Sequence, residues 1–219
     1  MTDGYDVAGV LPDGLLEELE PGTNVAVVGP SMSGKREIAL RLLAIGYESG
    51  DGILCITTGN AERLFSDLER HVSSLDRKQI GVLNCGGRNT CSMIEEMTES
   101  VSSPADLTGI SIGTAKLFNQ FHKRGVSDIR YGLISVSSLL QHLDSNTVFK
   151  FLYVFANRVN DTNGLGIYTL NDDTHDAQVI NTVRGQFDGV IELRETDASD
   201  WECRVRGFGR KSTAWTTLE

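Results

Sequence analysis

Asn24-Val25-Ala26-Val27-Val28, followed by Gly29-Pro30-Ser31-Met32-Ser33-Gly34-Lys35, is the stretch on which the reading of this chain turns. The run up to Val28 is short and continuously apolar, the pattern of a strand buried on both faces. From Gly34 onward Ile38, Ala39, Leu42, Leu43 and Ile45 fall at helical spacing, with Gly46 beyond them as a stop. Between strand and helix, Gly29 to Lys35 fits GxxxxGK in the context that phosphate chemistry requires. Its glycines let backbone N–H groups converge on phosphate oxygens, the helix N-terminus adds partial positive charge, and Lys35 supplies a point charge to the outer phosphates. The simpler alternative is a tight strand-to-helix turn that binds nothing.

Outward from this segment the same alternation continues. Ile53 to Thr57 and Ile80 to Leu83 read as buried strands, with Asn60 capping a helix that carries Leu64, Leu68 and Leu75 on one face. Residues 84–103 are polar and rich in Gly and Ser, with no clear period, and a helix is expected from about Leu107 to His122. Ile129 to Val136 reads as a central strand, Thr147 to Val159 as a helix, Gly166 to Leu170 as a strand and Ala177 to Phe187 as a helix. Gly189 to Arg194 and Trp201 to Arg206 alternate apolar and charged residues, as antiparallel strands with one wet face do. The expected fold is therefore α/β, a mostly parallel twisted sheet flanked by helices and closed by a C-terminal antiparallel hairpin. With no repeat or linker, residues 1–219 are expected to form one domain.

Composition bounds the function. The 219 residues carry 20 Lys and Arg against 30 Asp and Glu, a net charge of −10, which is the wrong sign for a surface that binds nucleic acid or anionic membrane. Arg outnumbers Lys, and low lysine with excess acid is a composition of salt-loving cytoplasms. No apolar run approaches the roughly 20 residues of a membrane span, and the N-terminus lacks the basic start of a signal peptide, so a cytoplasmic protein is expected. Cys55, Cys85, Cys91 and Cys203 form no CxxC pair and have no His at metal-ligand spacing, so buried thiols are expected rather than zinc.

The loop departs from the usual pattern immediately after its lysine. Arg36 stands where a Ser or Thr hydroxyl should ligate Mg²⁺. Its planar, permanently charged fork suits phosphate and could replace the charge of the cation, and the alternative is that it points into solvent from the first helical turn. The strand from Ile129 runs into Ser135 where a metal-holding aspartate is needed, and the first acid after the strand ending in Thr57 is Glu62, which falls late, inside the next helix. A shift of register would bring in Asp128 or Asp144, neither of which sits at the end of a buried strand.

Taken together, the segment Leu11-Pro12-Asp13-Gly14-Leu15-Leu16 with Pro21-Gly22-Thr23, the loop Gly29 to Lys35, and Ile191-Glu192-Leu193-Arg194-Glu195 with Cys203-Arg204-Val205-Arg206-Gly207 resemble the KaiC-like, Rad55-like branch of the RecA superfamily of ATPases. The resemblance implies an archaeal protein with a RecA-like fold that binds ATP or ADP on Gly29, Pro30, Ser31, Met32, Ser33, Gly34, Lys35 and Arg36, with the need for Mg left open. It also implies that Arg204 and Arg206, spaced like the basic pair of KaiC-like rings, reach the phosphates of a neighbouring copy. A solvated strand edge is the plainer explanation of an RxR pair.

Against that family, Arg36, Ser135 and Gly59-Asn60 replace the hydroxyl ligand, the metal-holding Asp and the paired glutamates, so normal hydrolysis is not expected. Three functional readings are open. One is a non-hydrolysing regulatory or signalling module acting through protein contacts or a homo-oligomer, another a slow ATPase using Arg204 and Arg206 in trans. The third is a recombination accessory protein touching DNA through His122-Lys123-Arg124, three bases that equally suit a helix end. Asn171-Asp172-Asp173-Thr174-His175-Asp176 admits a metal site, a nucleotide-facing loop or a capped helix start.

Overall fold

A computed structural model describes residues 4–12, 14–72, 76, 78–86 and 97–218. The phosphate-loop strand is the third strand, β3 (Asn24–Gly29), preceded by a two-strand ribbon of β1 (Tyr5–Asp6) and β2 (Glu18–Leu19). Then come α1 (Lys35–Ala44), β4 (Gly52–Thr57), α2 (Ala61–Glu69), β5 (Ile80–Asn84), β6 (Thr98–Ser100) and α3 (Leu107–Lys123). The rest of the chain supplies β7 (Ile129–Ile134), α4 (Val136–His142), α5 (Ser145–Asp161), β8 (Leu165–Asn171) and α6 (Ala177–Arg184), and ends in β9 (Gly189–Glu195), β10 (Trp201–Gly207) and β11 (Thr216–Thr217).

The main sheet runs β11-β10-β9-β3-β8-β7-β4-β5-β6. Strands from β9 to β6 are parallel, and β10 and β11 are antiparallel additions at one edge. Because side chains alternate across a strand, β3 feeds both cores. Val25 and Val27 pack with Leu42, Leu43 and Phe65 on the α1–α2 face, while Ala26 and Val28 pack with Phe121, Leu152 and Ile180 on the face covered by α3, α5 and α6. This two-sided burial is why the central strands read as continuous apolar runs.

Several expectations need correction. The run 129–136 is a strand only to Ile134, because the extended Ser135 is the N-cap of α4 and Val136 and Leu139 are buried as helix residues. An apolar run cannot by itself show where a strand hands over to a short helix. Thr98–Ser100 adds a parallel edge strand where no period was visible, and the short β1, β2 and β11 likewise lack an apolar pattern. The helix expected to Phe187 stops at Arg184, with Gly185 as its C-cap. Leu75 and Cys91 fall outside the described residues.

Candidate functional site

All the parallel strands around β3 end on the same side of the sheet, and the crevice beyond strand C-termini is where open α/β sheets place their ligands. Here it is a cleft of about 440 Å³ at the ends of β3, β4, β7 and β8. The Gly29–Lys35 loop forms one wall. Gly34 sits at φ 79°, a left-handed conformation that favours glycine, and turns the chain into α1. Gly29 allows close approach, since a Cβ there would lie 2.9 Å from both the Ser33 hydroxyl oxygen and the Leu193 Cβ. Met32, at φ 64°, is 96% exposed at the loop tip.

Lys35 is buried and turned back on its own loop, its ammonium donating to the Pro30 carbonyl at 2.6 Å. Burial pushes its pKa below the ordinary lysine value, with the charges of Asp173 and Asp172 working against that shift. The Ser33 hydroxyl is buried in the loop wall and has no hydrogen-bond partner. Buried polar atoms are almost always paired, so an orphaned donor in a phosphate-type loop marks a place for a ligand oxygen.

Arg36 lines the same cleft and is held within the chain. Its guanidinium pairs with Asp67 of α2 at 3.0 Å, and Arg70 pairs with the other oxygen of the same carboxylate. Burial alone would raise the Asp67 carboxyl, but the two guanidiniums outweigh it and hold the group below its ordinary value.

The opposite wall is neutral. Thr57, Thr58, Ser135, Ser138, Thr169 and Asn171 contribute to it, and no Asp or Glu is among the described residues that line the cleft. The candidate carboxylates lie elsewhere. Glu62 is in the first turn of α2, Asp128 precedes β7 at the far end of the sheet, and Asp144 caps α5 by accepting from the Thr147 N–H at 3.0 Å. Loop N–H groups, Lys35 and the Ser33 hydroxyl fit phosphate. The set does not fit a magnesium ion, because the position after Lys35 is a guanidinium tied to Asp67 and β7 runs into a serine.

The Asn171–Asp176 segment belongs to this site. Asp176 makes no side-chain cap to α6, whereas Asp173 accepts from the Ser31 N–H at 2.9 Å and Asp172 pairs with Arg184 at 3.4 Å. The segment therefore packs against the phosphate loop, and Asp176 opens α6 without the side-chain cap expected there. Among the described residues no group of three or more His, Cys, Asp and Glu gathers as a metal cluster.

Arg204 and Arg206 both reach Glu192 within the chain, and Arg206 remains exposed. Glu192 on β9 is only 5% exposed, although strand alternation had suggested a wet face, and it pairs with Arg204, with Arg184 at 3.0 Å and with Arg206 at 3.5 Å. The Arg194 and Arg204 guanidiniums both lie over the Trp215 ring, 4.1 and 4.4 Å from its centre. Asp67, Asp173 and Glu192 meet their arginines and loop only in three dimensions, so none of these pairings leaves a local signal in the sequence. At the far end of the sheet, His122-Lys123-Arg124 closes α3, with His122 against the Phe118 ring. Burial pushes the Cys55 and Cys85 thiols up to about 12, out of reach of thiolate chemistry at neutral pH.

Residues 22–193 match the family of unknown function DUF7504. The chain belongs to this family. No curated protein matches it. Its fold is similar to that of a KaiC-like protein from the hyperthermophilic archaeon Pyrococcus horikoshii OT3, with TM-score 0.65 and 15% identity, covering 100% of this chain and 94% of that one. It is also similar to an uncharacterized protein from Pyrococcus horikoshii in complex with an unknown peptide, with TM-score 0.66 and 11% identity, covering 92% and 94%. This DUF7504 chain thus has the KaiC-like α/β architecture, a mostly parallel sheet with a C-terminal antiparallel hairpin. No helix among its described residues is long and apolar enough to cross a membrane.

Proposed function

We propose that this DUF7504 protein is a non-hydrolysing, KaiC-like nucleotide-binding module that regulates or signals through contacts with a protein partner or a second copy of itself. It acts as one RecA-like domain in the cytoplasm and holds ATP or ADP on the Gly29–Lys35 loop without a normal magnesium site. The observation that carries the reading is the composition of the cleft. A phosphate-type loop with a buried orphan hydroxyl faces walls of neutral hydroxyls and amides, with no carboxylate among the described lining residues. Phosphoryl transfer draws its rate from a cation, a positioned water and charge stabilisation, and this cleft offers side chains for only the last. The fold it shares with a protein solved around a peptide supports the protein-contact part of the reading.

Thermal unfolding in high salt with ATP or ADP, each with Mg²⁺ and with EDTA, tests this. A ligand that binds only the native state stabilises it by RT ln(1 + [L]/Kd), so at about 100-fold excess over Kd the melting temperature should rise by roughly 5–10 °C. The rise should survive EDTA and vanish in Lys35→Ala, with no phosphate release above background. Absence of any rise would sink the nucleotide reading. Magnesium-dependent phosphate release that disappears in Lys35→Ala would replace it with a working ATPase.

A further inference from the structure

The outer end of the phosphate loop is already taken by one of the chain's own carboxylates. Asp173 accepts from the Ser31 backbone N–H at 2.9 Å and from the Ser31 hydroxyl at 3.2 Å. The backbone N–H, above all, holds this carboxyl below the ordinary aspartate value, so it is charged at neutral pH. The segment that carries it is tied down on both sides. Asn171 donates its N–H to the Ser137 hydroxyl at 2.8 Å, and Asp172 donates its N–H to the Gly29 carbonyl at 3.2 Å. In loops of this build the lysine amine serves the outermost phosphates. Here that amine is turned onto Pro30, and its charged neighbours are Asp173 and Asp172. The inner part of the loop keeps an orphan donor in Ser33, while at the rim of the cleft its outer part carries the Asp173 carboxylate.

We propose that Asp173 is a specificity-determining residue that sets the site to hold a nucleoside diphosphate and to disfavour the triphosphate. The inference rests on the nucleotide-binding reading above. A ligand with one more phosphate carries its extra charge toward a fixed carboxylate, in a cleft whose described lining side chains do not suit the cation that would neutralise both. Asp173 is exposed at the rim of the cleft, where a like charge a few ångströms away changes affinity by about fivefold. Asp173→Asn removes that charge and keeps the side-chain oxygen that accepts from Ser31.

Calorimetric titration of the full chain with ADP and ATP in EDTA decides the matter, using the natural protein, Asp173→Asn, and Asp197→Asn in the β9–β10 turn as a charge-matched control. The natural protein should bind ADP about fivefold tighter than ATP, Asp173→Asn should bring the two within about twofold, and Asp197→Asn should leave the ratio unchanged. Equal affinity for ADP and ATP in the natural protein overturns the inference while leaving the nucleotide reading intact, and this comparison needs no variant to fold. A ratio unmoved by Asp173→Asn, or moved equally by Asp197→Asn, also overturns it. If no protein of the three binds either nucleotide, the underlying reading falls and the specificity falls with it.

Discussion

Arg130, the second residue of β7, is only 1% exposed, yet every one of its side-chain nitrogens has a partner. Nε donates to Asp51 at 2.8 Å, Nη1 to the Leu42 carbonyl at 2.7 Å and Nη2 to the Asp6 carbonyl at 2.9 Å, with the Tyr5 ring 5.3 Å away. One side chain thereby ties the first strand, the end of α1 and the start of β4 to the sheet. Removing one member of a buried ion pair leaves an uncompensated charge and costs about 3–5 kcal/mol, whereas an apolar replacement of both can be close to neutral. Urea unfolding should therefore place Asp51→Ala about 3–5 kcal/mol below the natural protein, with Arg130→Met/Asp51→Leu recovering much of that loss. Nothing at the residue scale in the sequence announced this arginine, which sits in the apolar run IRYGLI. Asp173 stood out in its polar run, but its pairing with Ser31, 142 residues away, did not, nor did that of Glu192 with Arg204, 12 residues away.

Elements were legible where the physics is local. β3, the loop and α1 follow from an apolar run, glycines at fixed spacing and a 3.6-residue period, and α2 begins at Asn60, whose side chain accepts from the Arg63 N–H at 3.0 Å. What stayed hidden were pieces too short to show a period, such as β6 and β11, and α4, whose residues continue the apolar run of β7. The contact between α1 and α2 makes a prediction at this scale. Asp67 accepts from Arg36 and Arg70, and its folded-state pKa lies below that of the unfolded chain. Its contribution is therefore complete above the ordinary aspartate value near 4 and is lost as pH falls through the lower, folded value. Melting temperatures followed from pH 7 down to pH 2 should show Asp67→Asn less stable at neutral pH by about 1 kcal/mol, with the gap closing in acid. A constant offset across that range would mean that the pair does not hold the two helices together.

Across the whole molecule, a net charge of −10 surrounds a cleft whose described walls carry no carboxylate. Self-repulsion of surplus acid opposes compactness and is screened by salt. Raising KCl from about 0.05 to 1 M, where the screening length falls to about 3 Å, should raise the melting temperature. A fall would show that surface ion pairs outweigh the repulsion. The antiparallel edge that closes the sheet holds a further consequence in Trp215, whose ring meets both Arg194 and Arg204 while Arg204 also grips Glu192. A tryptophan in contact with two cations has an emission colour and yield set by those charges, and one of them answers to a carboxylate on the strand beside β3. With Trp201→Phe removing the only other indole, the chain carries a built-in fluorescent dye at its own edge, able to report in real time whether the hairpin feels what enters the cleft.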